Sequence, residues 1–185
     1  LEYHPATGIM HVEIESRNAT YVLCEALRDE HMWKQLLDTI RRDRRLEGVN
    51  GSLTGSRGEA LSELWDDALC DLQPTVQSGK QSKTSAIFDQ RVILKLFRRV
   101  SPGINPDLEI GRLLTEKDRF EFMPRFAGAL EYRSSAGRLM TFAVLHEHVA
   151  NVGGAWSITL DELVRYFERV QSQMPEGPSS ETRVD

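Results

Sequence analysis

Apolar and polar positions alternate along this chain with two different periods, and the switches between them predict its elements. Residues 9–15 alternate in the manner of a half-buried strand, and residues 20–24 repeat the pattern after the polar turn Ser16-Arg17-Asn18-Ala19. Asp29 is suited to cap a helix. After it, Trp33, Leu36, Leu37 and Ile40 recur at three- and four-residue spacing, so a helix with one apolar side should follow and lie across the strands. The stretch Arg41-Arg42-Asp43-Arg44-Arg45 reads as the cation-rich end of that helix, where the dipole favours positive charge, with Gly48 as its stop. Residues 51–56 suit another strand. Leu61, Leu64, Trp65 and Leu69 mark either a second amphipathic helix or an irregular insertion.

The short period then returns. Residues 75–80, 86–88 and 91–97 predict three strands, the last two joined by Asp89-Gln90. Ser101-Pro102-Gly103 breaks the run, Asn105 is placed as a cap, Pro106 fits a first helical position, and Asp107 lies where the dipole favours an acid. A helix is predicted over 106–117, with Ile110, Leu113 and Leu114 on its buried side. An aromatic loop over 120–126 leads to two strands, 128–133 and 139–147, joined by Ser134-Ser135-Ala136-Gly137. Thr159 and Glu162 form the signature of a capping box that opens a last helix. The predicted class is α+β, with antiparallel sheets and packed helices. Its parts are an amino-terminal cap over 1–73, a lobe over 74–156, a helix over 157–173, and a flexible tail over 174–185.

Chemistry concentrates between Gln81 and Leu114. Lys95 stands inside the apolar run Val92-Ile93-Leu94-Lys95-Leu96-Phe97. A buried ammonium is costly unless an anion meets it, so Lys95 either faces an anion or lies on an edge strand and reaches solvent along its stem. Glu109 is the carboxylate expected to hold it, with Glu116 second, although a first-turn acid is also at home in solvent. Upstream, Gln81-Ser82-Lys83-Thr84-Ser85 is expected as a hairpin turn whose hydroxyl and N–H groups can face phosphate oxygens. The turn is not glycine-rich, and neither a Walker pattern nor a Gly-x-Gly-x-x-Gly loop occurs, so taken alone it is equally a polar hairpin.

Three segments in fixed order, Gln81–Ser85, Ile93–Arg99 and Gly103–Glu109, resemble the signature of the bacterial maltokinases, including the kinase modules fused to trehalose synthase. That signature runs close to Gln-Ser-Asn-Thr-Ser, Ile-Leu-Lys-x-Phe-Arg-Arg and Gly-Ile-Asn-Pro-Asp-x-Glu. This chain departs from it at Lys83, where the family has asparagine, and at Lys80, where it has an acid. The resemblance implies a protein-kinase-like (aminoglycoside-phosphotransferase-like) N-lobe that binds ATP. Gln81, Ser82, Lys83, Thr84, Ser85 and Lys95 would lie toward the phosphates, Glu109 would hold the lysine, and Glu147 and His148 would form the hinge against adenine. It also implies phosphorylation of maltose to maltose 1-phosphate, with magnesium as cofactor and trehalose synthase as a partner. The family's His-Gly-Asp and Asp-Phe-Glu segments, which carry the catalytic base and a metal ligand in the second lobe, do not occur here. The expectation is therefore the amino-terminal part of a longer kinase, inactive by itself. The alternative is a non-catalytic binding or regulatory module associated with trehalose synthase.

Composition narrows this only slightly. A net charge of −5 argues against a nucleic-acid partner, and no apolar run approaches the roughly 18 residues of a membrane span. The start lacks the basic-then-apolar pattern of a secretory signal, so a cytoplasmic protein is expected. Cys24 and Cys70 are far apart and expected as reduced thiols. His4, His11 and His31 have no ligand spacing, and His146-Glu147-His148 is a weak metal signal beside its reading as a polar strand end.

Overall fold

The helix predicted after Asp29 forms as α1 (Glu30–Arg41), with the Asp29 side chain accepting the His31 backbone N–H at 2.9 Å. The computed structural model describes residues 8–14, 19–64, 73–78, 83–117, 120–151 and 153–173, and for residues 8–24 and 78 the backbone only. Gln81 and Ser82, Trp65 to Cys70 and the tail from Met174 lie outside the described residues.

Strands β1 (Gly8–Ile14) and β2 (Ala19–Cys24) pair antiparallel as a two-stranded sheet. Strands β3 (Arg45–Gly48), β4 (Gly51–Arg57), β5 (Thr75–Ser78), β6 (Lys83–Phe88), β7 (Val92–Phe97), β8 (Phe126–Ser134) and β9 (Leu139–Glu147) form one antiparallel sheet in the order β3-β4-β8-β9-β7-β6-β5. With its helices this makes an α+β architecture. Residues on both sides of position 73 share the sheet, because β4 pairs along its whole length with β8. The interval that carries the predicted cap is thus continuous with the lobe.

Burial alternates along the strands and divides the sheet into two faces. On one face α1 and the short α2 (Leu61–Leu64) set Trp33, Leu37, Ile40 and Leu61 against Phe88, Val92, Leu94, Leu130 and Leu145. The other face holds a smaller cluster, Phe97, Phe126, Ala129 and Val144, under Leu108 of α3 (Pro106–Arg112). Contact between α1 and β4 is close enough that a Cβ on Gly55 would stand 2.2 Å from the Thr39 carbonyl oxygen. Glycine there lets the helix lie directly on the strand.

Three elements differ from the sequence expectation. The arginine-rich stretch does not extend α1. The helix stops at Arg41, Asp43 takes a left-handed φ of 48°, and β3 begins at Arg45 and turns through Gly48 into β4. The α3 helix continues through a wider π-type turn to Lys117, as long as predicted, but its phase is rotated. Leu108 and Gly111 are its buried residues, whereas Ile110 and Leu113 are about half exposed. The last helix, α4 (Ala155–Gln173), starts before Thr159, so the Thr159 hydroxyl donates to the Ala155 carbonyl at 2.8 Å inside the helix instead of capping it.

By compactness the chain divides into two units, 1–149 and 150–185. The first holds both sheets, α1 to α3 and the candidate site; α4 is the described element of the second. Among the described residues no helix is long and apolar enough to cross a membrane.

Candidate functional site

Lys95 lies in the middle of β7, between Ser85 on β6 and Val144 on β9. With a strand on each side, it is not at a sheet edge. Its neighbours Leu94 and Leu96 point into the large core, and alternation sends the Lys95 side chain to the opposite face, under α3. There it is half-buried, and burial pulls its pKa below the ordinary lysine value despite the opposing charge of Asp107; the Lys83 cation adds to the depression.

Lys83, Ser85 and Lys95 share this face, as the β6–β7 register requires. Lys83 and Thr84 belong to β6 itself, not to the turn before it. Thr84 is buried and, one residue out of phase, lies on the side of α1. Of the five residues expected as a phosphate-facing turn, the structure thus brings two, Lys83 and Ser85, to the side of Lys95. It directs Thr84 away, and Gln81 and Ser82 lie outside the described residues.

The carboxylate over Lys95 is Asp107, not Glu109. Asn105 caps α3, with its side chain accepting the Asp107 N–H at 2.9 Å, and this aims the Asp107 carboxylate back at the strands. Asp107 receives a hydrogen bond from Lys83 Nζ in an ion pair, while Glu109 is exposed. Burial alone would raise the Asp107 pKa, but the Lys83 bond and the charges of Lys83, Lys95 and His146 hold it below the usual carboxylate range. The Lys83 ammonium also stands 5.2 Å from the centre of the Phe97 ring. Among the described residues no carboxylate comes within 4.0 Å of Lys95, so the one nearby acid is engaged by Lys83. Glu116, the second choice, sits on the π-type turn at the far end of α3.

His146 completes the cluster, and sequence reading missed it as a site residue. It lies on β9 opposite Ile93 and is 3% exposed. Gly111 of α3 rests on its ring so closely that an added Cβ would be 3.0 Å from Nε2; Phe126 meets the ring edge-on at 6.2 Å. Its Nδ1 is buried without a hydrogen-bond partner. Burial, then the charges of Lys95 and Lys83, push its pKa down to about 4, against the opposing pull of Asp107, so the imidazole is neutral at physiological pH. The available signal was register: Ile93, Lys95 and Val144, His146 alternate onto one face of adjacent strands.

Fixed points at both ends hold α3 over these groups. The Asn105 N–H donates to the Thr141 hydroxyl at 3.0 Å and the Gly103 N–H to the Leu139 carbonyl at 2.8 Å. Beyond the helix, the Thr115 hydroxyl accepts the Phe126 N–H at 2.8 Å. The result is a cradle with two ammonium groups, one carboxylate and a neutral imidazole. It carries excess positive charge and is suited to an anion.

Glu147 and His148, expected as a ligand-facing edge, have their backbone donors engaged within the protein. The Glu147 N–H donates to the Arg125 carbonyl at 2.8 Å and the His148 N–H to the Arg91 carbonyl at 2.7 Å. The Glu147 carboxylate accepts from Arg125 Nε at 2.9 Å, and this bond, more than burial opposes it, keeps its pKa low. His148 Nδ1 lies 3.2 Å from the Gln90 carbonyl. Among the described residues no three side chains of His, Cys, Asp or Glu gather as a metal would need. No protein-family model matches this chain.

Proposed function

We propose that this chain is the nucleotide-binding part of an ATP-dependent sugar kinase of the maltokinase type, in a kinase-like N-lobe, acting on maltose in the cytoplasm. The observation that carries the reading is Lys95: an ammonium held partly out of water on an interior strand, beneath a capped helix, with its nearby carboxylate already shared with Lys83. Such a pair of cations has charge to spare for a phosphate. The order of elements supports it as well. A three-strand meander carries the lysine on its third strand, a helix carrying the acid follows, and a hairpin returns to pair beside the lysine strand.

The residues present fit the phosphate end of ATP and leave the purine end without available N–H donors at Glu147 and His148. When bound, ATP supplies the phosphoryl group. Lys95 and Lys83 would hold and neutralise its phosphate oxygens, Ser85 would lie beside them, and Asp107 would keep both ammonium groups protonated and oriented. His146, neutral and buried, would leave the cradle's charge to the lysines. Magnesium does not find a ligand set of three His, Cys, Asp or Glu side chains among the described residues. The sequence holds neither His-Gly-Asp nor Asp-Phe-Glu, so no residue of this chain is given the role of base toward the sugar hydroxyl.

The direct test is ATP affinity of this chain by calorimetry, in the native form and as Lys95→Met. Saturable binding that weakens by about tenfold or more in the variant supports the reading. Undiminished binding in Lys95→Met would sink it. Maltose-dependent ATP turnover by this chain joined to a segment carrying the two absent motifs then tests the acceptor.

A further inference from the structure

The sequence expectation gave the arginine-rich stretch after α1 a purely structural task, and the fold removes that task. The final carbonyls of α1 are satisfied by backbone donors. Arg42 N–H bonds the Asp38 carbonyl at 3.0 Å, Asp43 N–H that of Ile40 at 3.1 Å, and Arg44 N–H that of Thr39 at 3.0 Å, closing the helix with Asp43 in the left-handed position. The arginine side chains are not needed as caps.

They converge instead on one acid. Arg41 Nη2 and Arg42 Nε lie 2.9 and 2.7 Å from Asp38 Oδ1, and Arg44 Nη1 lies 3.1 Å from Oδ2. Burial pushes the Asp38 pKa up, but the Arg41 hydrogen bond and the three guanidinium charges outweigh it and hold the carboxyl below its ordinary value. A guanidinium has five N–H donors, and two carboxylate oxygens cannot use all those of Arg42 and Arg44. Asp38 therefore gathers Arg42 and Arg44 and balances one of their two charges.

The same groups line a groove of about 420 Å³ between α1 and β3, together with Lys34 and His31. Among the described residues that line it, Lys34, Arg42 and Arg44 outnumber the carboxylate of Asp38, so the groove is positive on a chain whose net charge is −5. Leu37 and Leu46 add apolar wall. That volume is of the size that holds a small molecule, and fork-shaped guanidinium donors match the oxygens of phosphate.

We propose that this groove is a second binding site, separate from the Lys95 cradle, for a small phosphorylated molecule whose phosphate is held by Arg42 and Arg44. Nucleotides and sugar phosphates share that chemistry. The site stands on α1 and β3 and does not depend on the kinase reading.

The test titrates inorganic pyrophosphate into the whole chain carrying Lys95→Met, which leaves the other site with Lys83 paired to Asp107 and without excess positive charge, while backbone amide shifts are followed by NMR. Saturable shifts confined to α1 and β3 are expected, weakening about tenfold in Arg42→Ala with Arg44→Ala and falling steeply with salt. Both arginines are about half exposed, so the double variant should keep its fold, which circular dichroism checks. Parallel titrations with ADP and glucose 6-phosphate identify the source: tighter binding of either supports the site. Absence of saturable shifts, shifts unchanged by the double variant, or stronger capture of a poly-glutamate peptide than of pyrophosphate overturns it.

Discussion

At the scale of single residues, the informative groups are those the interior accommodates at a cost. Lys95 could be picked from sequence because a lysine inside an apolar run is conspicuous. Its partner could not, because Asp107 and Glu109 both lie near the start of the same helix and only the phase set by the Asn105 cap separates them. Lys95→Met removes a desolvated ammonium whose acid is already bonded to Lys83, so the variant should be as stable as the native protein or more so, by about 1 kcal/mol, while losing ATP binding. Thermal unfolding beside calorimetry checks both halves; a large loss of stability would mean that Lys95 is a structural cation. His146 makes a pH prediction. The unfolded chain takes up its proton near 6.5 and the folded chain near 4, so between these values the unfolded state binds more protons and stability rises with pH. The contribution is fully present above 6.5 and lost as pH falls toward 4, a change on the order of 3 kcal/mol. Denaturant unfolding of the native protein and of His146→Leu should show this slope in the first and its absence in the second. The depressed Asp38, Asp107 and Glu147 add their losses at lower pH in both.

At the scale of elements, the phase of α3 and the course of the chain after α1 were the two features hidden from sequence, each for a physical reason. The buried side of α3 runs through Leu108 and Gly111, and a glycine contributes nothing to a hydrophobic pattern; Ile110 and Leu113, which the pattern put inside, are about half exposed. Gly111 matters for the space it leaves above His146, so Gly111→Val should force α3 away from the sheet. A loss of about 1–3 kcal/mol is expected, together with weaker ATP binding as Asp107 moves off the lysines. A variant with unchanged stability and affinity would show that α3 has slack. After α1, the arginine run was consistent with a helix end because the helix dipole favours cations there. The left-handed Asp43, which turns the chain into β3, leaves no mark that a sequence pattern can distinguish from an ordinary polar residue. Strands β6 to β9 and α1 were legible because their apolar positions keep period over several residues and are punctuated by turns and a cap.

At the scale of the molecule, the question is whether the lobe that carries Lys95 stands without the residues before it. The sheet answers through its pairing. β4 covers the outer edge of β8, and Trp33, Leu37, Ile40 and Leu61 close the large core from the side opposite Lys95. Burying four such side chains stabilises by roughly 2 kcal/mol each, and their sum approaches the whole net stability of an ordinary domain. Removing residues 1–73 would leave Phe88, Leu94, Leu130 and Leu145 facing water and expose the N–H and C=O groups of β8 to pairing with other chains. A chain beginning at Pro74 should therefore fail to fold cooperatively and should aggregate, whereas the native chain should unfold residues 8–149 in a single transition reported alike by Trp33 fluorescence and by far-ultraviolet dichroism. If the shortened chain instead gave a sharp melt and bound ATP, the lobe would be autonomous and the strands from β3 to β4 an accessory to it. The expected failure would mean that the region first read as a cap forms one wall of the same core on which the anion cradle is built.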